Sequence, residues 1–462
     1  MPPTIPATLA TTLAAVPAER WAGWVGDPLR PLGRPLVVAV CPLPVPEAEA
    51  ALVLLEVERA GAPTGWRQLC VAACDPARAA ADLLLAGDAG TAALVPGLAL
   101  VEVRRWLLAA LTSGVALRAG GWEWQAGPEP RPGGSLPIEA GALVDDVAAS
   151  VVRAPHATLV FPRTADPDDR VELELLRRLA AGDGAPLVPR PLASARWSGP
   201  EGVRLPSLLV HDLPADAVPM ATRLAARALD ALRGAPGAFE GAVNDARSLG
   251  MLARELHAAL GRPATEGSPP AAAPAGRRTV EGWTLEATDA LEALLREAQG
   301  SAHDAQPEIV ALRDHLPAIA AAAARDPGLV HRIHGAFDAD AVHVLADGTL
   351  RVTGFRAPPA FGGPSPWHDV ASLLASLTRI AGEAAIAAGD DAATREGAWA
   401  WEREARRAAL DGYGPGGGAG HALAALLEVP LVARRMLRTF RRDPARAWID
   451  VHAVRRLARV AT

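Results

Sequence analysis

At 462 residues the chain can hold two or three domains around a large core, and with half its residues apolar but only 4% aromatic, that core must be mainly Ala, Leu and Val. A net charge of -6 argues against a nucleic-acid binder, which favours a basic excess. All 46 basic residues are arginine, so there is no lysine for a Schiff base, a general base or an ammonium on a phosphate.

Cys41, Cys70 and Cys74 are odd in number and lack the second pair or nearby histidine of a zinc site, which reads as buried free thiols. The start, M-P-P-T-I-P, has no positive region of a signal peptide, and charges interrupt the apolar run from Leu83 to Leu111. No run spans a bilayer, and a soluble cytoplasmic protein is expected.

Residues 1–120 read as a small α+β module, with strands at Pro35–Val40 and Ala51–Val57, core anchors at Trp21 and Trp24, and a helix from Arg104 that ends before Gly114. The Pro/Gly-rich segment Ala126–Pro137 reads as a loop. Residues 121–215 follow as a second sheet, with neighbouring strands at Ala149–Ala154 and Ala157–Arg163 and further strands within 186–197 and 205–214. Between them, Asp166 to Asp169 put acidic residues where a helix dipole favours them, ahead of a helix over Val171–Leu179.

From residue 216 the pattern turns helical, with predicted helices over 220–232, 248–261, 284–298, 309–324, 401–411 and 431–440, and a low-complexity mobile loop over 264–276. His257 reads as a packing histidine. The tail from Leu431 carries nine arginines against Asp443 and Asp450, which reads as helices with a solvated arginine face. At the centre of this half lies H-R-I-H-G-A-F-D-A-D-A-V, His331 to Val342, then R-V-T-G-F-R-A-P-P, Arg351 to Pro359. The pattern predicts a short strand, a turn at Gly335, a polar loop, a return through Asp347-Gly348 and a second loop at Gly354-Phe355. A kinase-like phosphotransferase puts its base in the first such loop and a metal-binding carboxylate in the second.

Several pieces occur together in one order: R-W-x-G-W-x-G at Arg20–Gly26, the strands at Val151–Phe161, L-L-V-H-D-L-P before the helical half, L-G-x-L-A-x-E-L-H at Leu249–His257, His334-Gly335, S-P-W-H-D-V-A-S-L-L-A-S-L at Ser365–Leu377, and P-x-x-A-W at Pro444–Trp448. In these the chain resembles the bacterial maltokinases, relatives of the aminoglycoside phosphotransferases. The resemblance implies a bilobal, protein-kinase-like α+β fold with an N-terminal cap over 1–120, a β-sheet lobe with a hinge over 121–215 and a helical lobe over 216–462.

The departures are specific. The family's first loop is similar to H-G-D-x-H-x-x-Q, which puts Ala336 in place of the base and Ala341 in place of a metal-binding amide. Its second loop is similar to D-F-E-G-E-P, which puts Gly354 in place of the metal-binding carboxylate and Arg356 in place of the next acid. The family's phosphate-gripping lysine falls near Val160. Loss of a general base alone costs about 10²- to 10⁴-fold. The resemblance keeps His334, Gly335 and Asp369 as scaffold, with Asp369 bracing the first loop through backbone hydrogen bonds. Asp338 and Asp340 are the candidate substitute carboxylates, and Arg163 and Arg356 the candidate phosphate ligands.

The expectation is a pseudokinase without cofactor, its partner trehalose synthase or an active maltokinase in trehalose, maltose and glycogen metabolism, with an α-glucoside as a further ligand and neither nucleic acid nor membrane bound. One alternative is a divergent active maltokinase, using ATP and Mg²⁺ to make maltose 1-phosphate. The other is a carbohydrate-binding protein with Trp401 and Trp448 as stacking platforms.

Overall fold

The computed structural model describes residues 36–46, 48–59, 62–74, 93–129, 142–145, 149–162, 165, 170–182, 184–262, 272–301, 305–357, 363–414 and 417–460. The Arg20–Gly26 element, Asp166 to Asp169, Arg163 and most of the loop at 264–276 lie outside these residues. The chain forms two compact units, residues 1–180 with 189–217, and residues 181–188 with 218–462.

The first unit carries two antiparallel sheets. β1 (Leu36–Leu43), β2 (Glu49–Arg59), β3 (Ala62–Cys74) and β4 (Ala93–Pro96) form a meander in chain order. Both faces of β2 are covered: Leu52 and Leu54 join one core cluster, Val53 and Leu55 another. Burial on both sides explains why this strand reads as an unbroken apolar run instead of alternating with polar residues. Helix α1 (Val101–Ser113) begins three residues before the predicted Arg104 start, then β5 (Val115–Ala119) turns back into β6 (Trp122–Pro128). β7 (Ala142–Asp145), β8 (Ala149–Ala154), β9 (Ala157–Pro162), helix α2 (Arg170–Ala180), β10 (Pro191–Ser198) and β11 (Arg204–His211) complete the unit.

The second sheet has the order β5-β6-β10-β11-β9-β8-β7. The β5-β6 hairpin therefore straddles residue 120, the expected edge of the first module, and β6 takes the first residues of the expected Ala126–Pro137 loop. β3, which no sequence signal brought out, carries Gln68 into the core. Its amide donates to the Pro162 and Ser207 carbonyls at 2.7 and 2.8 Å and accepts the Trp197 indole N–H at 3.0 Å. A buried amide is tolerated because its groups are paired. Cys41 and Cys70 are buried free thiols, with burial pushing both up to about 12.

The second unit is helical: β12 (Val218–Pro219), α3 (Met220–Leu232), α4 (Ala238–Leu260), β13 (Ala273–Pro274), α5 (Arg277–Ser301), α6 (Gln306–Ala323), β14 (Leu329–Val330), β15 (Val342–Val344), β16 (Leu350–Val352), α7 (Pro366–Ala388), α8 (Ala392–Tyr413), α9 (Gly417–Arg442) and α10 (Ala447–Ala458). β12, β15 and β16 make the small central sheet. α5, α6, α9 and α10 share a core of Leu, Ile, Val and Ala around Trp283. α7 is long and apolar enough to cross a membrane, but 72% of its apolar window is buried inside the structure, as a core helix requires.

The arginine-rich tail is not simply a solvated face. Arg434, Arg435, Arg441, Arg455 and Arg456 pair with Glu286, Asp450, Glu297, Glu308 and Glu428, clamping α9 and α10 to their neighbours. Trp401 is 1% exposed, which excludes it as a stacking platform, and the Trp448 ring is already covered by Arg395 at 4.2 Å.

Candidate functional site

The two central loops are built on α7. Ser365 caps the helix, its hydroxyl accepting the Trp367 N–H, and Pro366 opens it, which sets Asp369 in the first turn. Asp369 is fully buried and its carboxylate accepts four bonds: from His334 N–H (2.7 Å), Gly335 N–H (2.9 Å), Phe337 N–H (3.4 Å) and His257 Nε2–H (2.9 Å). Burial alone would raise its pKa, but the His257 donor and charge and the backbone N–H groups overcome it and hold the carboxyl below its usual range. Asp369 thus gathers three backbone N–H groups of the first loop.

His334 ties the first loop to the second. Its Nε2–H donates to the Thr353 carbonyl at 2.8 Å and its Nδ1 accepts the Ala336 N–H at 3.2 Å, while Arg356 N–H donates to the His334 carbonyl at 2.9 Å. Burial lowers the His334 pKa, so the ring stays neutral and can make both bonds. The His334 ring is tilted against that of Phe355, with 4.5 Å between centroids. Gly335, at φ +89°, passes so close to the second loop that a Cβ there would stand 2.4 Å from the Arg356 carbonyl.

His257, read as a packing residue, proves to be the second brace. Its Nε2 bonds Asp369 and its Nδ1 bonds Tyr413 Oη at 3.0 Å. The two helices that carry these groups cross at glycines: a Cβ at Gly250 would stand 1.9 Å from the Ala409 carbonyl, and one at Gly412 would stand 2.2 Å from that of Arg247. Sequence reasoning missed Tyr413, although it is the one tyrosine in the chain.

At the positions that the resemblance gives to base and metal ligands the side chains are short. Ala336 presents a methyl group, Ala341 spends its N–H on Asp338, and Gly354 is exposed at φ +75°. Asp338 Oδ1 closes its own turn by accepting the N–H groups of Asp340 and Ala341 at 3.1 and 2.9 Å. Burial and the charge of Asp340 push the Asp338 carboxyl up. Asp340 is exposed and ion-paired with Arg379, which also holds Glu383. Arg356 is exposed beside the second loop. Val160 lies on β9 in the first unit, between Val151 and Leu209 on neighbouring strands, and Arg163 lies outside the described residues.

A magnesium ion needs a nearly octahedral set of oxygen ligands. Among the described residues no group of three or more His, Cys, Asp or Glu could hold a metal ion. The loops offer a methyl at Ala341 and a glycine at Gly354 where the resemblance puts metal-binding groups, so they do not fit the ion.

No protein-family model matches the chain, and no curated protein matches it. Solved structures do. A glucosamine kinase is similar over 98% of this chain and 99% of its own, at 18% identity and a TM-score of 0.56, and a second crystal form gives 0.58. The same kinase in complex with glucosamine, ADP and inorganic phosphate gives 0.55 over 98% of this chain. The fold is bilobal and kinase-like. At 18% identity the likeness carries the architecture and not the chemistry.

Proposed function

We propose that this chain is a maltokinase-like pseudokinase that uses a phosphotransferase fold to bind and not to transfer phosphate. The observation that carries the reading is the contrast between a fully hydrogen-bonded brace at Asp369 and the alanine and glycine it holds in place of base and metal ligand. The nearest acids are already used, Asp338 Oδ1 in its turn and Asp340 with Arg379. The partner that fits the resemblance is trehalose synthase or an active maltokinase, with an α-glucoside as small-molecule ligand.

One observation favours a divergent active enzyme: the raised carboxyl of Asp338 is nearer to a working base than an ordinary aspartate. Phosphate transfer from ATP to maltose with Mg²⁺, at high enzyme concentration, separates the two. The expected result is no transfer above background and co-purification with one of the named partners. Transfer abolished by Asp338→Asn or Asp340→Asn would overturn the pseudokinase reading.

A further inference from the structure

The helical unit holds a pocket of about 470 Å³ that neither loop lines. Its walls include the ends of α4 and α8, the start of α7 and strand β14, through His257, Arg262, Leu329, His331, Trp367 and Tyr413. The volume falls in the range of small-molecule sites, which combine apolar walls with a few convergent polar groups.

Those groups can be assigned. Tyr413 Oη and His257 Nδ1 share one hydrogen bond, and whichever atom gives the proton, a lone pair stays on the Tyr413 oxygen, which can accept. His331 Nδ1–H donates to the Arg332 carbonyl at 2.6 Å, and a carbonyl can only accept, so Nε2 is an acceptor too. Burial lowers the His331 pKa and keeps the ring in this neutral form. Among the described residues none accepts from the Trp367 indole N–H. The Trp367 and Tyr413 rings meet edge to face, 5.2 Å between centroids, and form an aromatic corner.

One donor, two acceptors and an aromatic corner suit a ring that is apolar on its face and hydroxylated on its rim. Among the described residues Arg262 is the one arginine in the lining, too little for a nucleotide triphosphate, and no acid lines the pocket to select a cation. We propose that this pocket binds a neutral pyranose sugar, stacked against Trp367 and Tyr413 and hydrogen-bonded to Tyr413 Oη, His331 Nε2 and Trp367 Nε1, and that occupancy tightens the first loop through Tyr413, His257 and Asp369. The proposal deepens the binding role argued above and names its site.

Because the chain has one tyrosine, fluorotyrosine labelling gives a single ¹⁹F resonance inside the pocket. Glucose, maltose and trehalose are titrated in EDTA without nucleotide. At least one should move the resonance saturably and slow hydrogen exchange at the amides of His334, Gly335 and Phe337. Leu329→Trp fills the pocket from a position 49% exposed, and should abolish the shift without moving the unfolding midpoint. Tyr413→Phe, followed by calorimetry, should weaken binding about tenfold, the scale of one hydrogen bond. No shift at millimolar sugar, or unchanged binding in Leu329→Trp, would overturn the site. Binding without slower exchange at the three amides would overturn the relay. Phosphate transfer in the earlier assay would instead sink the pseudokinase reading and leave these results standing.

Discussion

Gly335 and Gly354 have similar backbone angles, φ +89° and +75°, and opposite surroundings. A Cβ at Gly335 would collide with the Arg356 carbonyl, whereas nothing lies within 4 Å of one at Gly354. Both alanine variants carry the left-handed backbone cost of about 1–2 kcal/mol, and only Gly335→Ala adds a clash with a carbonyl that cannot move without breaking the loop pairing. In urea unfolding, Gly354→Ala should cost about 1 kcal/mol and Gly335→Ala at least about 3 kcal/mol. Equal losses would mean that the loops are not locked together. At this scale the His334-Gly335 pair and the small residues Ala336, Ala341 and Gly354 were legible in the sequence, because motif spacing fixes which residue fills each place. The use of Asp338 Oδ1 was not legible, since it depends on which backbone N–H groups the turn aims at it.

Between elements, the crossing of α4 with α8 decides where His257 and Tyr413 meet. Helix propensity favours alanine over glycine by about 1 kcal/mol, so a Gly250→Ala change would stabilise an isolated helix. Here the added methyl would sit 1.9 Å from the Ala409 carbonyl, and separating the helices also breaks the His257–Tyr413 bond. Overpacking of this kind typically costs about 1–3 kcal/mol or more. Packing should win, with a net loss of about 2 kcal/mol or more in denaturant unfolding, and a stabilised variant would refute the close crossing. The L-G-x-L-A-x-E-L-H run showed a helix and an apolar face. The carbonyl that its glycine must clear lies 159 positions further along the chain, from Gly250 to Ala409, beyond the reach of any local pattern.

Across the whole molecule, acid sensitivity follows from buried groups. His331, His334 and His368 all have pKa values below the ordinary 6.5, with burial the leading cause. The unfolded chain then binds protons that the folded chain does not, so stability falls as pH drops below about 6.5. Burial alone would raise Glu428, yet Arg406 and Arg456 hold it at about 2 against an ordinary 4.5, so its contribution is complete above 4.5 and fades as pH falls towards 2. Unfolding midpoints measured across pH should decline in two stages, the second reduced in Glu428→Gln after its own lower baseline is set. A midpoint that does not change between about pH 7 and 4 would contradict the buried neutral histidines.

The sequence by itself determined the fold class, the main helices of the second unit, the absence of lysine and which residues stand in both central loops. These are properties of which side chain stands where, and spacing along one chain is enough to read them. Only the tertiary structure decided that Asp369, His257 and Tyr413 form one hydrogen-bonded line, that Asp340 is held by Arg379, that the tail arginines clamp helices, and that a pocket opens beside the brace. Each joins segments distant in the chain through contacts a few ångströms long, and such contacts exist only once α4, α7 and α8 are packed.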